Sequence, residues 1–172
     1  SGSERVAAAM EKIGLPDETI LVNVQGDEPF VSPKVIEQIA SGVCHQRESV
    51  NTACEVIDIA SSLNPNIVKV VRDCQKKALY FSRSRIPWIS PDEQLSAPIR
   101  FLKHIGIYGY SLGLLKDFVA SKRSLAEQSE RLEQLRFLHF GVPVIAHDAV
   151  DVCGIGIDTL EDYQEACAKF ER

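Results

Sequence analysis

The sequence predicts a single α/β domain built around a layered, mixed sheet. Two observations lead to this class. Short apolar runs rich in β-branched residues alternate along the chain with segments whose apolar residues have helical spacing. The length of 172 residues and an apolar content of 45% suit one globular domain spanning 1–172.

The first two elements illustrate the alternation. Val6, Met10 and Ile13 share one helical face, and Gly14-Leu15-Pro16 ends that helix. The segment 20–25 follows as a short run of Leu, Ile and Val residues. Such a run is typical of a buried strand covered on both faces.

The middle of the chain continues with a helix and three strands. Ser32 and Pro33 occupy the cap and first position of a second helix. The strands are predicted over 50–57, 67–72 and 78–82, with a hairpin turn at 75–77. Two prolines, two serines and several charges predict a long loop over 89–100.

The last third is predicted to contain two strands and three helices. The strands cover 104–110 and 143–148, and the helices cover 112–120, 130–140 and about 160–171. Gly141 closes the second of these helices, and Asp158-Thr159 caps the third.

Composition argues against several classes of protein. The net charge is −5 and no block of Lys or Arg stands out, which disfavours a nucleic-acid partner. No apolar run approaches the ~20 residues needed to span a bilayer, so no membrane insertion is expected. The five cysteines are scattered without a CxxC pair, which favours a reducing, cytoplasmic location.

The first candidate site lies where the strand at 20–25 ends, in Gln25-Gly26-Asp27-Glu28-Pro29. Ligands of open α/β sheets bind beyond the carboxyl ends of strands. A carboxylate there, next to a glycine that permits close approach, indicates a metal–phosphate site. A plain polar turn is the alternative, because Gly, Asp and Pro are ordinary turn residues.

Four further motifs follow this one in order. They are Ala-Leu-Tyr-Phe-Ser-Arg-Ser-Arg-Ile-Pro-Trp at 78–88, His-Ile-Gly-Ile-Tyr at 104–108, Leu-Glu-Gln-Leu-Arg at 132–136, and Gly-Ile-Asp-Thr at 156–159. The ordered set closely resembles the 3-deoxy-manno-octulosonate (Kdo) cytidylyltransferase family, from residue 1 to about 170. Each motif by itself is moderately specific, whereas all of them at this spacing are very specific.

The resemblance implies a GT-A-like nucleotidyltransferase fold and a defined reaction. In that family CTP and Kdo give CMP-Kdo and pyrophosphate with Mg²⁺, and CMP-Kdo is the donor for the lipopolysaccharide inner core. The resemblance also implies a homodimer. The 2-hydroxyl oxygen of Kdo would attack the α-phosphorus of CTP in line, which depends mainly on positioning and charge neutralisation.

The resemblance assigns the nucleotide and metal residues. Asp27 and Asp158 match the two magnesium aspartates, which are also the expected catalytic residues. Asp158 suits a helix N-cap as well, and the two roles are compatible. Gln25, Ser3 and Arg5 match nucleotide-contacting positions, with Asp27 beside them.

The sugar-acid pocket is matched by Arg83, His104, Tyr108, Glu133 and Gln134, with Arg85 as a second candidate for the carboxylate. Arg suits a carboxylate, and the other side chains suit hydroxyls. His104 and Tyr108 are four residues apart on a strand and are therefore expected on one side of it. Glu133 and Gln134 are adjacent on a predicted helix and are not expected to share a face.

One departure from the family is large. The family begins with a strand and a Gly/Ser/Arg/Lys-containing loop that cradles the CTP phosphates, and nothing in these residues matches it. The sequence opens at Ser1-Gly2-Ser3-Glu4-Arg5, which resembles a later segment of the family. The resemblance thus implies the C-terminal two-thirds of an N-terminally incomplete domain, with impaired nucleotide binding and little or no activity for this chain by itself.

Three alternatives stay open. The chain is a cytidylyltransferase for another sugar acid such as sialic acid, or a non-catalytic fragment that serves as an oligomerising or binding module. A glycosyltransferase is the weaker third, since no clear Asp-x-Asp motif is present. A panel of sugar acids distinguishes the first alternative from an enzyme specific for Kdo. The presence of both aspartates argues against the second alternative, the non-catalytic fragment.

Overall fold

A computed structural model describes residues 2–90, 99–154, 156–157 and 160–170. The helices are α1 (Gly2–Ile13), α2 (Pro33–His45), α3 (Ile59–Ser62), α4 (Leu112–Ala120), α5 (Leu125–Glu130), α6 (Gln134–His139) and α7 (Leu160–Phe170). The strands are β1 (Ile20–Val24), β2 (Val50–Ile57), β3 (Lys69–Arg72), β4 (Ala78–Ser82), β5 (Phe101–Ser111) and β6 (Val144–Asp148).

The described strands form one mixed sheet, as predicted. Its main order is β4-β3-β5-β2-β6, and β1 pairs with β5 outside this path. Only β2 and β6 run parallel among these pairs, and the others are antiparallel. The long strand β5 therefore organises the sheet, because β1, β2 and β3 all pair with it.

Two apolar clusters pack on the sheet. On one side Val35 and Ile39 of α2 are fully buried together with Ile105 and Ile107 of β5. The second cluster includes the alternate residues of β5 and side chains from β4, α4 and α6: Tyr108, Tyr110, Phe81, Leu115 and Phe137. Alternation along β5 thus places residues 104, 108 and 110 on the face away from α2.

Local signals explain the helix boundaries. The side chain of Ser32 accepts a hydrogen bond from Lys34 N at the start of α2, and Pro33 occupies the first turn, as predicted. Gly14 and Gly141 follow helices with φ of 71° and 74°, a conformation that favours glycine. In the turn before β4, Lys76 also adopts a positive φ of 66°.

The prediction of a helix over 130–140 was wrong. Arg131 has a left-handed backbone with φ of 56°, which ends α5, and α6 begins only at Gln134. Two short helices were not predicted. Asp58 and Ser124 cap α3 and α5 by accepting hydrogen bonds from the backbone N–H groups of Ser61 and Glu127.

The burial predicted for β1 was also wrong. Its first four residues are half-buried and Val24 is exposed. Among the described strands β1 has a hydrogen-bonded neighbour on one edge, β5, and this leaves it at a margin of the sheet. The loop predicted at 89–100 falls largely on residues 91–98, which lie outside the described residues. No helix in the described ranges is both long and apolar enough to cross a membrane.

Candidate active site

A cleft of about 790 Å³ opens beside the middle of β5. Most of its lining comes from four places: the loop after β1, the strand β5, the segment 64–68, and the region from 123 to the start of α6. Gly2, Arg83 and Gly156 complete the lining among the described residues. Among the described residues the lining includes seven that were predicted to bind substrates or metal: Gln25, Asp27, Arg83, His104, Tyr108, Glu133 and Gln134.

An irregularity in the pairing of β2 and β5 locates the cleft. Thr52 pairs with Tyr108, but the next residue, Ala53, pairs with Ile105. Two residues of β5, Gly106 and Ile107, are therefore extra at this point, which makes a β-bulge. Bulges redirect side chains and are common beside active sites.

The loop of Gln25 to Pro29, called here the Gln25–Pro29 loop, is attached to this bulge. Gln25 N donates to Gly106 O at 3.3 Å, and Gly106 N donates to Glu28 Oε1 at 3.1 Å. A Cβ on Gly106 would lie 3.2 Å from Glu28 Oε1, so a side chain there would crowd this contact. Glu28 thus holds the loop by a main-chain contact and positions its neighbour Asp27.

Asp27 is the exposed carboxylate of this loop. Its carbonyl oxygen accepts a hydrogen bond from Ile157 N at 2.7 Å, which brings the segment 156–157 against the loop. Gly156 lines the cleft as well. The second predicted magnesium aspartate, Asp158, lies outside the described residues.

His104 and Tyr108 line the cleft from one side of β5, as predicted. Their ring centroids are 5.4 Å apart, and Phe81 packs edge-on against His104 at 5.0 Å. Burial lowers the pKa of His104 to about 3, with a smaller contribution from the charge of Lys103. Burial likewise raises the pKa of Tyr108, and the charge of Glu133 adds to this. Both rings are therefore neutral in the pH range where enzymes work.

Glu133 and Gln134 both line the cleft, contrary to the expectation from adjacent helix positions. The reason is the break at Arg131, which makes Glu133 the residue before α6 and Gln134 its first residue. Glu133 Oε1 accepts a hydrogen bond of 2.6 Å from the hydroxyl of Ser3, and Gln134 is buried. Ser3 was predicted to contact the nucleotide, whereas here its hydroxyl is bonded to Glu133.

The other predicted nucleotide residue, Arg5, is exposed, and it is not among the described residues that line the cleft. Its neighbour Gly2 does line the cleft. A Cβ on Gly2 would lie 3.3 Å from Gln25 Oε1, so the start of α1 approaches the Gln25 side chain closely.

Arg83 is held at the cleft by main-chain oxygens. Its Nε donates to Glu130 O at 3.0 Å and one terminal nitrogen donates to Pro65 O at 3.2 Å. The Glu130 carboxylate accepts from Arg83 N and from the Ser82 hydroxyl. The second arginine candidate, Arg85, lies 6.0 Å from the centre of the Phe101 ring and is not among the described lining residues.

A buried lysine supports this part of the cleft. Lys69 is fully buried, and its ammonium donates to the carbonyls of Asn64, Ile67 and Arg83 at 2.5–2.8 Å. These contacts use all three ammonium donors. Burial lowers the pKa of Lys69. Lys69 therefore ties the segment 64–67 to Arg83, and sequence analysis missed it because a strand lysine carries no such signal.

Sequence analysis also missed several polar residues of the lining. They are Asn64, Asn66, Lys103, Arg123, Gln128 and Arg131. Four basic and four acidic side chains thus line the cleft in the described ranges. Of these six residues, Arg131 lies at the end of α5, a helix end that the sequence pattern did not predict, and it has a left-handed backbone conformation.

The lining is chemically suited to a magnesium ion at the Gln25–Pro29 loop. Mg²⁺ prefers hard oxygen ligands and usually takes one or two carboxylates together with substrate oxygens. Asp27 supplies one exposed carboxylate at the cleft. Within the described residues no group of three metal-ligating side chains is gathered.

Comparison with known proteins identifies the family. The family model described as "Cytidylyltransferase" matches residues 1–144. This chain belongs to the cytidylyltransferase family. Among its relatives, the 3-deoxy-manno-octulosonate cytidylyltransferase of Erwinia tasmaniensis is 42% identical over 175 residues, covering 98% of this chain and 69% of that protein. The protein of the same name from Pseudomonas fluorescens is 44% identical, covering 95% and 67%.

Solved structures agree with this membership. A CMP:2-keto-3-deoxy-manno-octonic acid synthetase complexed with CTP superposes with a TM-score of 0.87 at 36% identity, covering 99% of this chain and 68% of that one. A Bacillus anthracis structure described as a glucose-1-phosphate thymidylyltransferase gives a TM-score of 0.60 at 16% identity, which shows the fold alone. The predicted nucleotidyltransferase fold is thereby confirmed.

Proposed function

We propose that this chain carries the sugar-acid and metal-binding part of an enzyme that transfers CMP from CTP to the 2-hydroxyl of Kdo and releases pyrophosphate. The observation that carries the proposal is the single cleft that unites Gln25 and Asp27 with the predicted sugar-acid residues. Relatives named for this reaction, at 42% and 44% identity, support the choice of substrate.

Recognition of the sugar acid is assigned to the wall formed by Arg83, His104, Tyr108, Glu133 and Gln134. Arg83 uses only part of its donor set on Glu130 O and Pro65 O, so guanidinium donors are left for a carboxylate. The neutral rings of His104 and Tyr108 and the carboxylate of Glu133 provide acceptors and donors for hydroxyl groups. This combination fits a polyhydroxylated carboxylic acid.

The metal and the nucleotide are assigned to the other part of the cleft, the Gln25–Pro29 loop. Asp27, together with Asp158, would hold Mg²⁺, and the ion when bound neutralises phosphoryl charge and favours ionisation of a hydroxyl. Gln25, which is fixed to β5 through its backbone, would orient the nucleotide by its amide. Ser3 and Arg5 remain proposed nucleotide contacts, although Ser3 is bonded to Glu133 here.

Catalysis by this arrangement is mainly positioning. The wall would hold the sugar acid so that its 2-hydroxyl oxygen meets the α-phosphorus in line with the departing pyrophosphate. His104 is the one imidazole among the described lining residues. Burial keeps its ring from taking up a proton near neutral pH. We therefore assign His104 to substrate orientation.

The deciding experiment measures pyrophosphate release from CTP and Kdo with Mg²⁺. It compares this 172-residue chain with one extended by the family's N-terminal segment. Turnover by the extended chain but not by the 172-residue chain supports the proposal and shows that the phosphate-cradling residues are needed. Activity with sialic acid but not with Kdo would show that the proposed substrate is wrong and that the sugar acid is sialic acid. Silence of both chains with every sugar acid would favour the non-catalytic binding module.

The remaining proposals rest on the family resemblance. We propose a homodimer, a cytoplasmic location, and a role of CMP-Kdo in lipopolysaccharide synthesis. Light scattering of the purified chain tests the first, with a mass of twice 19.1 kDa expected. A monomeric mass at micromolar concentration would contradict the dimer.

A further inference from the structure

The β-bulge at Gly106 and Ile107 leaves main-chain oxygens facing a buried hydroxyl. Thr52, which is fully buried, has its Oγ1 2.7 Å from Ile107 O and 3.3 Å from Ile105 O. A carbonyl oxygen only accepts hydrogen bonds, and a threonine hydroxyl has one proton. The hydroxyl proton of Thr52 is therefore directed to a carbonyl, with Ile107 O the nearer.

The same hydroxyl oxygen lies 2.9 Å from His104 Nε2. Because its proton is already engaged, Oγ1 meets Nε2 as an acceptor, and the proton of this hydrogen bond belongs to the ring. The alternative has Thr52 donating to Nε2. It would place two oxygens 2.7 Å apart without a proton between them, which is unfavourable in a buried site. His104 is consequently in its Nε2–H tautomer.

The ring is held in this state by its surroundings. Burial keeps the imidazole neutral, so only one nitrogen carries a proton. Phe81 packs edge-on at 5.0 Å and Tyr108 lies at 5.4 Å, which restricts rotation of the ring plane. With Nε2 occupied by Thr52, Nδ1 is the hydrogen-bonding atom that the imidazole can offer to a molecule in the cleft, and it is an acceptor.

We infer that Thr52 is a positioning residue that fixes the tautomer of His104, so that His104 accepts a hydrogen bond from a hydroxyl of the bound sugar acid and disfavours a carboxylate or carbonyl oxygen at that point. This inference rests on the proposed function for the identity of the ligand. It makes His104 a hydrogen-bond acceptor and Arg83 a hydrogen-bond donor within the wall. The hydroxyl of the acid would then face His104 and its carboxylate would face Arg83, which sets the orientation of the bound ligand.

The test is imidazole NMR of the ¹⁵N-labelled chain, first free and then with Kdo. Signals of His104 are assigned by their loss in His104→Asn. The expected spectrum shows a protonated Nε2 and a bare Nδ1, and Kdo shifts the Nδ1 signal. Thr52→Ser is the matched control that keeps the hydroxyl, whereas Thr52→Val removes it. Thr52→Val is expected to give mixed tautomers and about fivefold weaker Kdo binding, the equivalent of one neutral hydrogen bond.

The outcomes separate this inference from the proposed function. A protonated Nδ1 in the free wild-type chain overturns the inference without any variant and without Kdo. Kdo binding that leaves the Nδ1 signal unchanged overturns the selection of a hydroxyl. The expected tautomer with no binding of Kdo at millimolar concentration overturns the proposed function, and the sugar-acid role of His104 with it.

Discussion

The Gln25–Pro29 loop and the wall formed by Arg83, His104, Tyr108, Glu133 and Gln134 line the same cleft but are built differently. In the wall, polar side chains are paired with residues from distant elements: His104 with Thr52, and Glu133 with Ser3. In the loop, the contacts that hold it are made by backbone groups and Glu28, while Asp27 is exposed.

The two regions differ in this way because the wall presents a buried neutral ring, whereas the loop presents a carboxylate that would bind a cation. A buried neutral ring with a satisfied hydrogen bond is inexpensive to preorganise, and it keeps one geometry before ligand arrives. A buried carboxylate without a cation is costly, so a metal-binding aspartate is better left in water until the ion and nucleotide enter. Substitutions in the wall should therefore alter stability and sugar binding, whereas substitution of the exposed Asp27 in the loop should alter turnover alone.

The largest expected effect is that of Asp27→Asn. Loss of this carboxylate is expected to lower the rate of pyrophosphate release by about 10²–10³-fold, in whichever chain length turns over. The free energy of unfolding should change by less than about 0.5 kcal/mol, because the side chain is exposed. Asp17→Asn is the control, an exposed carboxylate that pairs with Lys116. A clear loss of stability, or retention of half the rate, would contradict the distinction between loop and wall.

Lys69→Met tests the support behind the wall. It leaves three carbonyls, those of Asn64, Ile67 and Arg83, without their ammonium donor. At about 1 kcal/mol for each part-buried acceptor left without its donor, we expect a destabilisation of up to about 3 kcal/mol in urea unfolding. Lys116→Met, which breaks an exposed ion pair, is expected to cost less than about 1 kcal/mol. Equal losses in the free energy of unfolding for the two substitutions would contradict the proposed supporting role of Lys69.

The buried ring of His104 is expected to make the fold sensitive to acid. Burial lowers its pKa to about 3 in the folded chain, against the ordinary histidine value of 6.5. Between these values the unfolded chain binds more protons, so the free energy of unfolding falls as the pH falls. From pH 7 to pH 5 the wild type should lose about 2 kcal/mol more than His104→Gln. Parallel stability curves for the two proteins would show that the ring titrates normally. His45→Asn, an exposed replacement, serves as the control for the loss of a histidine.

Most elements of the fold were predictable because their signals are local. The spacing of Val35, Ile39 and Val43 and the Ser32–Pro33 cap specify α2 without reference to the rest of the chain. The break at Arg131 was not predictable, since arginine in a left-handed conformation carries no sequence signal. Similarly, the half-burial of β1 depends on which strands lie beside it.

The candidate site divides in the same way. Residues of the ordered motifs, such as Arg83, His104 and Glu133, were placed at the cleft through the family resemblance. Thr52 and Lys69 were missed because a buried threonine or lysine on a strand acts through a partner 52 or 14 residues away. The bulge that brings Thr52 to His104 exists only in the pairing of β2 with β5.

The smallest expected effect concerns the other pair of the wall, Ser3 and Glu133, whose side chains are 2.6 Å apart although 130 residues separate them. Ser3→Ala removes the donor but leaves the carboxylate in the cleft, so Kdo binding should weaken about fivefold, the equivalent of about 1 kcal/mol. If Ser3 acts by orienting Glu133, its removal should have no further effect in a Glu133→Ala background. A double-mutant cycle on Kdo affinity measured by calorimetry should then give a coupling of about 1 kcal/mol. Additive losses would instead mean that Ser3 contacts a ligand directly, as the family resemblance implied.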